Sequence, residues 1–118
     1  MSSPITQMQA IELLRNTMNE LENWRILFAF KRMKLKHMRE QTVNLMKACL
    51  SAHQYGLPIT TDLMGAILDA QGRKQTAISS KLHTLGDKHC LVLKRGITRG
   101  RGAPYEWLVD PVFLEAYR

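Results

Sequence analysis

From Ile5 to about Lys36 the chain contains no glycine or proline, and its apolar residues recur at helical spacing. Such a run predicts helix, because nothing in it supplies a left-handed turn or removes a backbone donor. Ile11, Leu14, Met18, Leu21 and Phe28 fall on one stripe, and Leu35 continues it one heptad later. Arg25 and Arg32 interrupt the stripe, so it is not an unbroken coiled-coil seam. Ser3 and Pro4 suit a helix start, with Pro4 at the first helical position. Trp24, Leu27 and Phe30 widen the apolar face beyond what a lone surface helix buries. A covering surface is required, either the rest of this chain or a second copy.

The basic stretch KRMKLKHMRE at 31–40 either continues the helix or breaks it. A further helical pattern runs from about Arg39 to Gln54, with Val43, Met46, Cys49, Leu50 and His53 as one face, and Gly56 and Pro58 stop it. PITTDLMGAILDAQG begins as a turn, offers Thr60 or Thr61 as a cap and places Asp62 where the helix dipole favours an acid. Its predicted buried side is Leu63, Ile67 and Leu68, and Gly72 ends it. RKQTAISSKLHTLGDKH predicts a short helix with Ile78, Leu82 and Leu85 inward, stopped at Gly86. CLVLK and YEWLV read as two strands around a glycine-rich basic loop.

A chain of 118 residues and 13.6 kDa bounds this to one modest core, or one domain with an extension. The net charge of +7 permits a polyanionic partner without dictating a fold. The N-terminal segment has no basic region followed by an apolar run, and no stretch approaches the length of an apolar membrane span. The expectation is therefore a cytoplasmic protein with no membrane contact, associated with the nucleoid if bacterial or archaeal. Cys49 and Cys90 are too few for a disulfide scaffold.

The element order and the segments ITTDLMGAILDAQG and QTAISSKLHTLGDKHCLVLKR resemble the winged helix-turn-helix family over roughly residues 40–110. The resemblance implies a mainly α fold with a small β-hairpin: a winged helix-turn-helix at 39–118, preceded by an N-terminal helical extension at 1–38. It also implies that the second helix of the pair enters the major groove of DNA. With Ile78, Leu82 and Leu85 inward, Gln75, Thr76, Ser79, Ser80 and His83 are the expected base-reading residues. Arg73, Lys74, Lys81 and Lys88 are the candidate phosphate contacts. Lys94, Arg95, Arg99 and Arg101 belong to the wing, where Gly96, Gly100 and Gly102 allow close approach to a backbone or minor groove.

Charge distribution supports this reading. Residues 71–101 hold eight basic side chains against the single acid Asp87, whereas the first thirty residues hold two basic and three acidic ones. The partner expected is double-stranded DNA, read by a homodimer joined through Leu14, Met18, Leu21, Trp24 and Phe28. Lys31, Arg32, Lys34, Lys36 and Arg39 either add phosphate contacts or form a solvated face. The leading function is a small sequence-specific transcriptional regulator, acting mainly as a repressor. The alternatives are a replication, partition or recombination accessory protein, and a module that engages another protein through its N-terminal helix. RNA is the other polyanion such charge could serve.

No enzyme site presents itself: there is no phosphate-cradling G-x-x-x-x-G-K-[ST] segment and no acid pair with nuclease-like spacing. His83, His89 and Cys90, and separately His37, Cys49 and His53, lie near one another without a zinc-site spacing. No metal or cofactor is expected, and both cysteines read as small core hydrophobes.

Overall fold

The computed structural model describes residues 7–68, 73–95 and 106–118, and for residues 7, 73–76 and 95 the backbone only. Among these residues the order is α1 (Gln7–Glu20), α2 (Asn23–Arg32), α3 (Glu40–Gln54), α4 (Thr61–Ile67), α5 (Arg73–Asp87), β1 (Val92–Arg95), β2 (Glu106–Val109) and α6 (Pro111–Tyr117). The protein is thus mainly helical with a two-stranded antiparallel sheet. The expected helix start at Ser3 and Pro4 lies outside the described residues.

The N-terminal run forms two helices rather than one. A straight helix over 5–36 would measure about 48 Å at 1.5 Å per residue, longer than the molecule's greatest extent of 45 Å. The chain breaks instead at Leu21 and Glu22, where the Leu21 N–H donates to the Met18 carbonyl at 3.1 Å and Glu22 turns extended. This bend lets α1 lie on α3 and α4 while α2 lies on α3 and α6.

The basic stretch at 31–40 is also broken. Lys34 adopts φ 61°, its N–H donates to Lys31 O at 3.0 Å, and the Leu35 N–H donates to Phe30 O at 2.9 Å. These two bonds close the end of α2 as a Schellman motif, in which glycine is the usual left-handed residue. The same closure ends α3 with the usual residue: Gly56 at φ 67°, its N–H on His53 O and the Leu57 N–H on Ala52 O.

Helix α3 is the centre of the core. Val43, Met46, Cys49 and Leu50 are buried as expected, but His53 is exposed and Leu45, Ala48, Ser51 and Ala52 are buried as well. The expectation of a single buried face was too narrow because α1, α2 and α4 all pack on this helix, together with β2. Burial pushes the Cys49 thiol up to about 12.

Thr60 caps α4, its Oγ1 accepting from the Leu63 N–H at 3.1 Å. The inner face of α4 is Met64, Gly65 and Ile67, with Leu63 and Leu68 only half-buried. Its helical run stops at Ile67, ahead of the expected end at Gly72, which lies outside the described residues.

Strands β1 and β2 pair in the register Val92↔Val109, Leu93↔Leu108, Lys94↔Trp107 and Arg95↔Glu106. Val92, Trp107 and Val109 point into the core and Leu93 and Leu108 point out, the period of two that a half-buried hairpin requires. A further extended residue joins the sheet: Ile59 and Trp107 exchange backbone hydrogen bonds of 3.1 and 2.8 Å.

After β2, Asp110 accepts from the Val112 N–H at 2.8 Å through Oδ1, and Pro111 opens α6. Acid cap followed by proline is a helix-start signal that the reading of the sequence passed over. Phe113 of α6 packs against Phe30 at 5.9 Å and Tyr117 at 5.8 Å between ring centroids. Leu14, Ile26, Ala29 and Phe30 from α1 and α2 belong to the same buried cluster as Ile59, Leu82, Trp107 and Phe113.

Candidate nucleic-acid interface

Helix α5 buries Ile78, Leu82 and Leu85 against α4 and β1, as its spacing predicts. The face left in water consists of Ala77, Ser80, Thr84 and Asp87, with Ser79 half-buried at its edge. Ser80 therefore lies where a base-reading side chain would have to lie. Ala77 and Thr84, three residues before and four after Ser80, share its face and were missed by the sequence reading; helical spacing from Ser80 was the signal that could have found them. Both are small, and a small side chain lets a helix approach base edges and thymine methyl groups closely. The Thr84 hydroxyl donates to the Ser80 carbonyl at 3.1 Å, which leaves its lone pairs outward. Gln75 and Thr76 occupy the first turn of α5 beside Arg73 and Lys74, and the side chains of all four lie outside the described residues.

Two of the expected contact residues also have partners within the fold. The His83 ring stands edge-on to Trp107, 5.0 Å between centroids and 87° between planes, so it fills the seam between α5 and the hairpin. The Lys81 ammonium donates to Gln41 Oε1 at 2.6 Å, tying α5 to the start of α3. Lys88 and Lys94 are exposed, one just beyond α5 and the other on β1. Arg95 ends β1, and Arg99 and Arg101 lie outside the described residues.

The expected stop at Gly86 is corrected: α5 runs through it to Asp87. A Cβ at Gly86 would meet Trp107 Cζ3 at 2.6 Å and Val92 O at 3.2 Å, so the glycine sets how closely the hairpin approaches the helix. The chain leaves the helix through Cys90, left-handed at φ 55° and exposed rather than in the core. His89, next to it, is held below the usual imidazole range by desolvation and by neighbouring Lys88.

A residue with no place in the sequence reading braces the helix pair. Arg15 of α1 donates through Nε to Ile67 O at 3.0 Å and through Nη2 to Ala66 O at 2.7 Å. Its guanidinium thereby satisfies carbonyls at the end of α4. Arg32, from the basic run, serves similarly at the end of α6, donating to Ala116 O and Arg118 O at 3.1 Å each.

The residues expected to join two copies divide. Leu14 is 1% exposed in the chain's own core, and Met18 and Leu21 pack against that core. Trp24 and Phe28 remain on the surface at 61% and 51%, together with Leu27 at 48%. The bend at Leu21 is the cause, since it turns the two halves of the stripe in different directions.

Among the described residues no three His, Cys, Asp or Glu side chains converge as a metal site, and no helix is long and apolar enough to cross a membrane. No protein-family model, curated protein or solved structure matches the chain.

Proposed function

We propose that this chain is a winged helix-turn-helix protein that binds double-stranded DNA by sequence and acts as a small dimeric transcriptional regulator. The observation that carries the reading is the outward face of α5, Ala77, Ser80 and Thr84, backed by α4 and flanked by a hairpin whose connecting segment contains Arg99 and Arg101. In this reading α3 is the first helix of the domain, α4 and α5 are the helix pair, and the β1–β2 hairpin is the wing.

Helix α5 lies in the major groove, where Ser80 and Thr84 exchange hydrogen bonds with base edges and Ala77 contacts a methyl group. Arg73, Lys74 and Lys88 hold phosphates and the wing arginines follow the minor groove. Binding to an operator excludes polymerase. Such a protein works in the compartment that holds the DNA, and needs neither metal nor cofactor.

The test is selection from a randomised duplex pool at several salt concentrations, with Ser80→Glu and the double variant Arg99→Ala, Arg101→Ala run beside the wild type. Enrichment of a palindromic motif, abolished by Ser80→Glu and weakened by the wing variant, is the expected result. Retention without a motif would point to an architectural binder, and no retention near physiological salt would remove the reading.

A further inference from the structure

The solvent face of α2 is unlike the rest of the surface. Ile26, Ala29 and Phe30 face the core, yet Trp24, Leu27 and Phe28 on the other side are 61%, 48% and 51% exposed. With exposed Lys31 they follow the spacing i, i+3, i+4, i+7, which is one continuous helical stripe. A helix apolar on both sides is a buried helix, and here, among the described residues, the outer side has only the Arg32 guanidinium over it, 5.1 Å from the Phe28 ring centroid.

We infer that the missing cover is a second copy of this chain, with the two α2 helices packed antiparallel about a two-fold axis near Leu27 and Phe28. Charge complementarity selects this occupant. Exposed Glu20 and Glu22 flank the stripe at its N-terminal end, and exposed Lys31, Lys34 and Lys36 flank it at its C-terminal end. A two-fold axis across α2 brings the acidic end of each copy over the basic end of the other; a parallel pairing would stack like charges. The same operation sets Leu27 against Phe28 and Trp24 against Lys31, whose ammonium can lie on the indole face. The Trp24 indole donates to the Glu22 carboxylate, which holds the ring at the acidic end of the stripe.

Position agrees with the partner. Helix α2 rests on α3 and α6, whereas α5 rests on α4 and β1, so pairing along α2 leaves the face bearing Ala77, Ser80 and Thr84 open in both copies. The apolar area offered by the three side chains is on the order of 300 Å² per copy, below the roughly 800 Å² per partner of a stable interface. The free dimer is therefore weak, forming at micromolar concentrations or above, and tightens when two DNA half-sites hold both copies. This deepens the dimeric reading above, and it is tested without DNA so that the two stand or fall separately.

The experiment is sedimentation of the full chain from micromolar to submillimolar concentration, followed by cysteine cross-linking in a Cys90→Ser background. A reversible dimer is expected, weakened about tenfold or more by Leu27→Asp or Phe28→Asp, with the monomer still folded by circular dichroism because neither side chain belongs to the buried core. On oxidation Leu27→Cys should give a disulfide-linked dimer. Lys31→Cys should not, because in the antiparallel pair the two copies of residue 31 sit about 10 Å apart along the axis. A monomer at every concentration, a dimer indifferent to substitution at Leu27 and Phe28, or efficient cross-linking through Lys31→Cys would each overturn the inference.

Discussion

Replacing Gly86 by alanine sets two opposed effects against each other at the junction of α5 and the hairpin. Alanine gains about 1 kcal/mol over glycine in a helix interior. Against that, the new methyl would sit 2.6 Å from Trp107 Cζ3, where carbon atoms pack best at about 3.5–4.0 Å. The indole has little room to retreat. Trp107 is 2% exposed, its backbone exchanges two hydrogen bonds with Ile59, and His83 stands against its ring. The second obstruction, Val92 O at 3.2 Å, is backbone. Overpacking costs about 1–3 kcal/mol, and a 2.6 Å contact on a ring that cannot retreat belongs in the upper half of that range, about 2–3 kcal/mol. Less the helix gain, the net destabilisation expected is about 1–2 kcal/mol, or a fall in Tm of roughly 5–10 °C. Urea unfolding, followed by Trp107 fluorescence in a Trp24→Phe background, measures it. A second cycle in Trp107→Leu, followed by far-ultraviolet circular dichroism because no tryptophan then reports, should remove most of the cost, leaving the 3.2 Å contact with Val92 O against the helix gain. A neutral or stabilising Gly86→Ala with Trp107 in place would refute the reasoning and leave the approach of helix and hairpin set by other contacts.

Lys34→Gly is expected to stabilise by about 0.5–1 kcal/mol in urea unfolding, because glycine relieves the left-handed backbone at φ 61° while loosening the unfolded chain only in part. Arg15→Ala should cost about 1.5–3 kcal/mol by removing two charged hydrogen bonds from the end of α4, and hydrogen exchange should rise first around Ala66 and Ile67. A thiol reagent should label Cys90 rapidly in the native protein and Cys49 only on unfolding. Burial raises the folded Cys49 pKa from 9.0 to about 12, so its contribution to stability is complete below pH 9 and is lost as pH climbs from 9 to 12. Cys49→Ala should flatten that alkaline decline.

The sequence yielded most where local pattern and packing agree. Ile78, Leu82 and Leu85 repeat at helical spacing and are buried, and the alternating residues of the hairpin point in and out as written. It yielded least where a tertiary partner decides. The helix over 5–36 has no glycine or proline to mark its break, and the chain bends at Leu21 so that apolar residues on both sides reach α3. Lys34, His37 and Cys90 are left-handed without being glycine, so no composition signal announces them. Arg15 looked like any surface cation, since its acceptors lie more than fifty residues away. The missed α6 is a different case, for Asp110 and Pro111 announced it locally.

These long-range contacts make the N-terminal helices part of the common core. An appended dimerisation arm would keep its apolar residues for its partner, but Leu14, Ile26, Ala29 and Phe30 are spent inside the core. Arg15 reaches from α1 to the end of α4, and Arg25 lies on the Tyr117 ring at 4.3 Å from its centroid. Helix α1 therefore bears on the helix pair itself, and α2 bears on α6 through Phe30 and Phe113. In the proposed dimer the outward stripe of α2 would be a second use of a helix that the fold already needs. Because α2 is anchored on its inner side, contact between two stripes would fix the orientation of the whole domain, α5 included. A flexible tether could bring two domains together, but in the proposed dimer a helix packed in the core would also set the angle and spacing at which the two domains meet DNA.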